Sequence, residues 1–158
     1  LRRQRQMCIR DSLYREGLPH KVRLWPLEYA PLEVQTSEEY PFLLITGREL
    51  LHYHTDKMTC RSLGIMEIRP ESLVEINPED AAALGVGERE LVRVVSPQGE
   101  VEAVASRSNR SPRGTVFMTF HFEKSPVNRL IGHAFDSLSK SPELKACAVR
   151  VEPVRRFG

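Results

Sequence analysis

The stretch of sequence that decides the fold is Phe42-Leu43-Leu44-Ile45-Thr46-Gly47-Arg48-Glu49-Leu50-Leu51-His52-Tyr53-His54-Thr55. Its first four residues form an unbroken apolar run between Pro41 and Gly47, a pattern typical of a strand buried on both faces. Polar side chains follow immediately. A buried strand that ends in hydroxyl, cationic and imidazole groups predicts a binding site. The alternative is a glycine turn after a core strand, with solvated histidines beyond it.

The polar residues after this strand suit an anionic or hydrogen-bonding ligand. Thr46, Gly47 and Arg48 offer a hydroxyl, a backbone without a Cβ and a planar cation with several donors, which fits a phosphate or carboxylate. His52 and His54 would face the same way in a strand and could hold a metal. A metal site of this H-x-H type also needs an acid about four residues later, where this chain has Met58 and Thr59. We therefore assign no metal ligands and no direct metal site.

Length, charge and cysteine content exclude several classes of protein. The 158 residues suffice for one domain. The net charge of +2 is spread along the chain, without the basic stripe that nucleic acid requires. Past the first fifteen residues no apolar run approaches the roughly 20 residues that span a bilayer, so we expect no membrane insertion. Its three cysteines are far apart without a C-x-x-C motif, which argues against a disulfide scaffold, a zinc ribbon or an iron-sulfur cluster.

The N-terminal part of the sequence gives little information on the fold. The run Met7-Cys8-Ile9-Arg10-Asp11-Ser12 matches the translation of a sequencing-library transposon end, so residues 1–12 are predicted to be an artefact and the true N-terminal part to be missing. Residues 13–39 are broken by three prolines, and the alternation of Val22, Leu24 and Pro26 favours an extended connecting arm. Residues 155–158 form a tail. The chain is of cytoplasmic type, or periplasmic if an export signal lies in the missing part.

The rest of the chain predicts short strands and one short helix. Residues 56–67 have no clean period and are predicted to be a loop that wraps the site. A strand over 73–76 leads to a helix with Asn77 at its N-cap, Pro78 at its first position and Gly85 at its end. A hairpin over 91–106, a strand over 115–120 that is followed by His121, and a last strand over 146–151 come next. Six or seven short strands favour a closed or half-closed β barrel over a sandwich.

Several familiar catalytic motifs are absent from the sequence. It contains no G-x-G-x-x-G, no P-loop, no G-x-S-x-G and no H-E-x-x-H. The acid pair Glu79-Asp80 is predicted to serve solvation and the helix dipole. We assign no catalytic residues.

Taken in order, the motifs resemble the C-terminal dinucleotide-binding domain of the molybdopterin oxidoreductases, and within that family the formate dehydrogenase α subunit is most similar. The resemblance runs from about Leu18 to Val154. It rests on these strings in order: Glu39-Tyr40-Pro41-Phe42, Thr46-Gly47-Arg48, His52-Tyr53-His54-Thr55, Met58-Thr59-Cys60-Arg61-Ser62, Val74-Glu75-Ile76-Asn77-Pro78-Glu79-Asp80-Ala81, Phe120-His121, Asn128, and Lys145-Ala146-Cys147-Ala148-Val149-Arg150-Val151.

The resemblance implies a mainly β fold with short helices, an aspartate-decarboxylase-like double-psi β barrel over residues 40–154. It implies a bis(molybdopterin guanine dinucleotide) cofactor with molybdenum or tungsten. Self-cleaving decarboxylases share the barrel, but their Gly-Ser bond is absent here. By resemblance the cofactor-binding residues are Thr46, Gly47, Arg48, Glu49, His52, Tyr53, His54, Thr55, Phe120, His121, Asn128 and Lys145. The structural alternatives are a half-buried barrel histidine for His121, a helix cap for Asn128 and a solvated Lys145.

Two departures from the family pattern bear on these expectations. Leu144 stands where many relatives have an aromatic residue, which removes stacking at that position, and Cys60-Arg61 replaces an Arg-Arg pair. By resemblance the parent enzyme oxidises formate to carbon dioxide, with the metal ligand and the iron-sulfur clusters in the missing part and with electron-transfer subunits as partners. The alternatives are a periplasmic-type nitrate reductase or another anaerobic molybdopterin oxidoreductase and, in another class, a non-catalytic double-psi barrel adaptor.

Overall fold

The structure is a computed structural model that describes residues 26, 28–29, 34–135 and 140–154. Contacts divide the chain into residues 1–31 and residues 32–158. In the first unit only Pro26, Glu28 and Tyr29 are described, and none of them lies in a helix or strand. The predicted artefact at 1–12, most of the predicted arm and the predicted tail lie outside the described residues. The loop at the end of that arm is described, and the Ser37 amide donates to the Tyr40 carbonyl there (3.1 Å).

Among the described residues the second unit consists of six strands and four short helices. The strands are β1 (Phe42–Gly47), β2 (Leu73–Ile76), β3 (Leu91–Ser96), β4 (Gly99–Arg107), β5 (Thr115–Thr119) and β6 (Ala146–Pro153). The α-helices are α1 (Leu63–Ile68) and α2 (Pro78–Leu84), and the 3-10 helices are Thr59–Arg61 and Val127–Leu130.

The six strands form a closed barrel in the order β1-β5-β2-β4-β3-β6, with β6 pairing back onto β1. Two pairings are parallel, β1 with β5 and β2 with β4, and the other four are antiparallel. Closure leaves no unpaired sheet edge among these strands. The mainly β, double-psi barrel class predicted from the sequence is confirmed.

Buried and more exposed residues alternate along most of the strands, and the buried aliphatic side chains fill the barrel. Leu44, Ile76, Met118, Val94 and Val149 are fully buried, and each stabilises the fold by about 1.5–3 kcal/mol relative to an exposed side chain. The prediction that β1 is buried on both faces is wrong, because Ile45 is 40% exposed. Ile45 instead faces a cleft on the outside of the barrel.

The helix after β2 has the ends that the sequence predicts. The Asn77 side chain accepts from the Glu79 amide (3.0 Å), Pro78 opens the helix, and Gly85 ends it in the left-handed region with φ 68°. Such a backbone conformation suits glycine because it carries no Cβ. The role predicted for Asp80 needs correction. Its carboxylate is buried and accepts from the Gly114 amide (2.8 Å), so it anchors the loop before β5 as well as facing the helix dipole.

The prediction that residues 56–67 form a loop is wrong. They contain the 3-10 helix Thr59–Arg61 and most of α1, in which the Met66 amide donates to the Ser62 carbonyl (3.0 Å). The sequence pattern did not indicate helix α1, because its apolar residues do not form one buried stripe. Leu63 is 81% exposed and Ile68 is 66% exposed, so periodicity toward the core is missing.

Candidate functional site

The ends of β1 and β5 lie side by side and bring the two predicted polar stretches together. The strands run parallel with Gly47 opposite Thr119, and the Phe120 amide donates to the Gly47 carbonyl (3.3 Å). The residues after Gly47 and the residues after Thr119 therefore leave the barrel at the same end. This parallel pairing creates the candidate site.

Aromatic side chains from both stretches, and one cationic side chain from the residue before β6, meet at this end of the barrel. The ring of His52 stacks on that of His121 with centroids 4.7 Å apart, and His54 packs edge-on against Phe120 at 6.1 Å. The Lys145 ammonium lies 5.9 Å from the centroid of Phe120, within the range of a cation–π interaction. We call His52, His54, Phe120, His121 and Lys145 the strand-end cluster.

The ring of His52 is buried within a hydrogen-bond network. Its Nδ1 lies 2.8 Å from Oδ1 of Asp56 and 3.1 Å from Oγ1 of Thr59, and its Nε2 lies 3.0 Å from the carbonyl oxygen of Arg69. The Thr59 hydroxyl donates to Asp56 (2.9 Å) and accepts from the Tyr53 amide (3.3 Å). We call His52, Asp56, Thr59 and Arg69 the His52 network. It leaves no ring nitrogen of His52 free for a ligand or a metal.

His121 differs from His52 because its Nε2 is buried without a hydrogen-bond partner among the described residues. The residue is 6% exposed. Burial lowers the pKa of the His121 imidazole below its ordinary 6.5, and the neighbouring His52 lowers it further, while Asp56 and Glu49 partly oppose the shift. An orphaned buried nitrogen at a strand end is a position where a bound group can supply the missing hydrogen bond.

Thr46 and Gly47 have structural contacts that the sequence does not reveal. The Thr46 hydroxyl points inward and donates to the Leu144 carbonyl (2.5 Å), which fastens β1 to the segment before β6. A Cβ on Gly47 would lie 2.5 Å from Cε2 of Phe117. The absent side chain therefore makes room for the Phe117 ring.

Arg48 and Glu49 line a cleft of about 490 Å³ on the outside of the barrel. The outward faces of Ile45 and Phe117 form its apolar wall, and Arg110 reaches it from the loop before β5. Glu49 pairs with Arg69 (3.5 Å), and Arg110 pairs with Glu75 (3.3 Å). Within the described part of the chain, Arg48 has no ion pair. We call this the outer cleft; it includes neither His52 nor His121.

The remaining predicted residues lie apart from these contacts. Tyr53 is 74% exposed and its ring lies 6.5 Å from that of His54, while Thr55 is exposed. Asn128 lies exposed on the second 3-10 helix rather than capping it, and no contact among the described residues joins its side chain to the strand-end cluster. The structure thus brings His52, His54, Phe120, His121 and Lys145 together, and places Asn128 separately.

Sequence reasoning missed Asp56, Thr59 and the Arg69 carbonyl. The spacing of His52 and Asp56, four residues apart, was a possible signal. It was weak, because the pair is not helical and Asp56 has a positive φ of 65°. Across the described ranges no group of three or more His, Cys, Asp or Glu could hold a metal, and no helix is long and apolar enough to cross a membrane.

The fold and the strand-end cluster define a double-psi barrel with a candidate ligand site at one end. Comparison with known protein families identifies the family of this chain. Residues 42–148 match the family described as "Molydopterin dinucleotide binding domain", and the chain belongs to it.

Curated relatives agree with this membership. The chain is 42% identical over 132 residues to "F420-dependent formate dehydrogenase subunit alpha" of Methanocaldococcus jannaschii, covering 84% of this chain and 20% of that protein. It is 42% identical over 129 residues to "F420-dependent formate dehydrogenase 2 subunit alpha" of Methanococcus maripaludis, covering 82% of this chain and 19% of the relative. The chain thus spans about one fifth of the length of these relatives.

A solved structure supports the fold. Acetylene hydratase from Pelobacter acetylenicus superposes with a TM-score of 0.67 at 15% identity, over 79% of this chain and 21% of that one.

Proposed function

We propose that this chain is the cofactor-binding domain of a molybdenum or tungsten oxidoreductase that carries bis(molybdopterin guanine dinucleotide) and oxidises formate to carbon dioxide. Membership in the dinucleotide-binding family supports the cofactor class. The identity of 42% to two formate dehydrogenase α subunits is the observation that carries the choice of reaction. We place the domain at residues 40–154, preceded by the arm at 13–39.

The residues present fit a large polyanion with a heteroaromatic part. Arg48 has no ion pair within the described residues, so its guanidinium can donate to phosphate or guanine oxygens without first breaking a salt bridge. Lys145 adds a second exposed cation at the same end of the barrel. The unpaired Nε2 of His121 and the exposed Tyr53 ring supply hydrogen-bonding and stacking capacity.

Each remaining site residue has a role in this proposal. Gly47 and Thr46 shape the end of β1, while Glu49 can accept from a guanine amino group. His54 and Phe120 belong to the strand-end cluster and Thr55 is the exposed residue after His54, whereas Asn128 lies apart and is assigned to the cofactor by the family resemblance alone. His52 acts through its neighbours, because its own nitrogens are already bonded.

The cofactor supplies the two-electron redox chemistry through its metal. This chain contributes binding and orientation. We propose that the metal ligand and the iron-sulfur clusters are provided by the remainder of the subunit, and that separate subunits accept the electrons.

The test uses the full product of the gene that encodes this chain. The purified protein is analysed for molybdenum and tungsten, for guanine nucleotide released by acid, and for formate-dependent reduction of a viologen dye. We expect metal, about two guanine nucleotides per metal, and formate oxidation. Nitrate reduction without formate oxidation would identify a nitrate reductase, and a protein without metal or nucleotide would identify an adaptor.

A further inference from the structure

The segment from Arg48 to Arg69 carries half of the predicted cofactor-binding residues but little core. Leu50, Tyr53, Met58, Leu63 and Ile68 are all large apolar residues at least 66% exposed. Hydrophobic burial therefore does little to fix the conformation of this segment, and another interaction must do so.

The His52 network links three positions of the segment to the His52 ring by hydrogen bonds. His52 contacts Asp56 and Thr59 near the middle and the Arg69 carbonyl at the end. Glu49, at the start, pairs with the Arg69 side chain. Both ends of the segment are thereby held around one buried imidazole, whose ring also stacks on His121 from the other strand end.

The charge on Asp56 is central to this arrangement. The Arg69 carbonyl can only accept, so Nε2 of His52 must donate to it. The carboxylate of Asp56 also accepts, so Nδ1 must donate as well. The contact with Asp56 therefore holds the His52 ring in the orientation in which Nε2 reaches the Arg69 carbonyl. A charge-assisted pair of this kind is stronger than a neutral hydrogen bond.

We propose that Asp56 is a positioning residue that, through His52, preorganises the 48–69 segment for the cofactor. The proposal rests on the proposed function for the identity of the ligand. With the segment already ordered, binding loses less conformational entropy, and Arg48 and His54 start close to their bound positions.

The test compares two buried aspartates in the full gene product. Asp56 and Asp80 are both 8% exposed. Asp80 lies near the start of β5, where it bonds Gly114, and belongs to neither the strand-end cluster nor the outer cleft. Asp80→Asn is therefore the matched control for Asp56→Asn. Thr59→Val is a milder second variant, which removes the hydroxyl donor to Asp56 and serves if Asp56→Asn does not fold.

Two measurements separate positioning from general stability. Limited trypsin digestion, followed by mass spectrometry, reports opening of the segment through cleavage after the exposed Lys57 and Arg61. Guanine nucleotide per polypeptide reports cofactor retention. For Asp56→Asn we expect cleavage about tenfold faster at these two sites, as the loss of a charged hydrogen bond predicts, together with a lower nucleotide content. For Asp80→Asn we expect parental cleavage at both sites and parental nucleotide content.

Unchanged cleavage in Asp56→Asn would overturn the proposal, because the segment would not depend on the charge. Faster cleavage with full nucleotide content would also overturn it, because Asp56 would then be structural only. If the parent protein holds no guanine nucleotide, the proposed function fails and the positioning role fails with it. The trypsin result still shows separately whether the His52 network holds the segment.

Discussion

The imidazole of His121 stacks on that of His52, with ring centroids 4.7 Å apart and ring planes inclined by 28°. Two rings that can each carry a proton are thus in contact at the end of the barrel. Asp56 faces His52 and provides a counter-charge, whereas Nε2 of His121 has no partner among the described residues. The two histidines therefore contribute differently to the fold.

The first prediction concerns the pH dependence of stability. Burial and the neighbouring His52 lower the pKa of His121 from 6.5 in the folded state. The unfolded chain then binds more protons near and below that value, so the contribution of neutral His121 is present above pH 6.5 and is lost as the pH falls through the lowered pKa. The free energy of unfolding of the 158-residue chain, measured with urea at pH 8 and pH 5.5, should fall less in His121→Gln than in the parent.

His133→Gln is the control for this comparison, because His133 is exposed and lies outside the strand-end cluster. In His133→Gln the free energy of unfolding should differ between pH 8 and pH 5.5 by the same amount as in the parent. An equal fall in His121→Gln and in the parent would contradict the assignment of this pH dependence to His121.

The second prediction compares two arginines of the outer cleft. Arg48→Ala removes a charge-assisted contact of about 1.5–3 kcal/mol, which corresponds to roughly 10- to 150-fold weaker binding. Metal and guanine nucleotide per polypeptide should both fall in the full gene product. Arg110→Ala should have the smaller effect, since that guanidinium is paired with Glu75. Parental occupancy in Arg48→Ala would remove Arg48 from the cofactor site.

The third prediction tests the packing of Gly47 against Phe117. An added Cβ would lie 2.5 Å from Cε2 and 2.7 Å from Cζ of the ring, so Gly47→Ala displaces Phe117. We expect a loss of about 1–3 kcal/mol in the free energy of unfolding. Phe117→Leu should be destabilising alone but should reduce the additional loss from Gly47→Ala, as coupled neighbours do. Strict additivity in the urea-unfolding double-mutant cycle would show that the two residues do not interact.

The fourth prediction uses the two described cysteines. Burial raises the pKa of the Cys147 thiol to about 12, whereas Cys60 is exposed. Because the thiolate is the reactive form, iodoacetamide at pH 8 should alkylate Cys60 at least about tenfold faster than Cys147 in the folded chain. Peptide mass spectrometry after a short pulse measures both sites. In concentrated guanidinium chloride the two rates should become similar, and equal rates in the folded chain would refute the burial of Cys147.

The helix and strands that the sequence predicted correctly are marked by local sequence patterns. Asn77, Pro78 and Gly85 bound helix α2 through contacts within a few residues, so their identities were sufficient. The apolar runs at Phe42 and Thr115 were sufficient for strands β1 and β5. Helix α1 was missed because its exposed Leu63 and Ile68 obscure the period on which the prediction depends.

The candidate site was predicted in part, for a similar reason. Polar residues after two apolar strands indicated that His52, His54, Phe120 and His121 belong to one site, and the structure brings them together. The roles within that site depended on neighbours that a single stretch does not show. The ring of Phe117 packs over Gly47. Asp56 and the Arg69 carbonyl take up the hydrogen-bonding capacity of the two ring nitrogens of His52. Asn128 lies apart from the other site residues.

The sequence by itself determined the strands, the capped helix α2, the barrel class and the family resemblance, because these follow from residue type, spacing and order along the chain. Tertiary structure alone decided that β1 and β5 pair in parallel with Gly47 opposite Thr119, that the outer face of β1 borders a cleft, and that Asp56 is buried against His52. The physical reason is that burial and hydrogen-bond partners depend on which distant segments cover a residue, and only closure of the barrel brings those segments together.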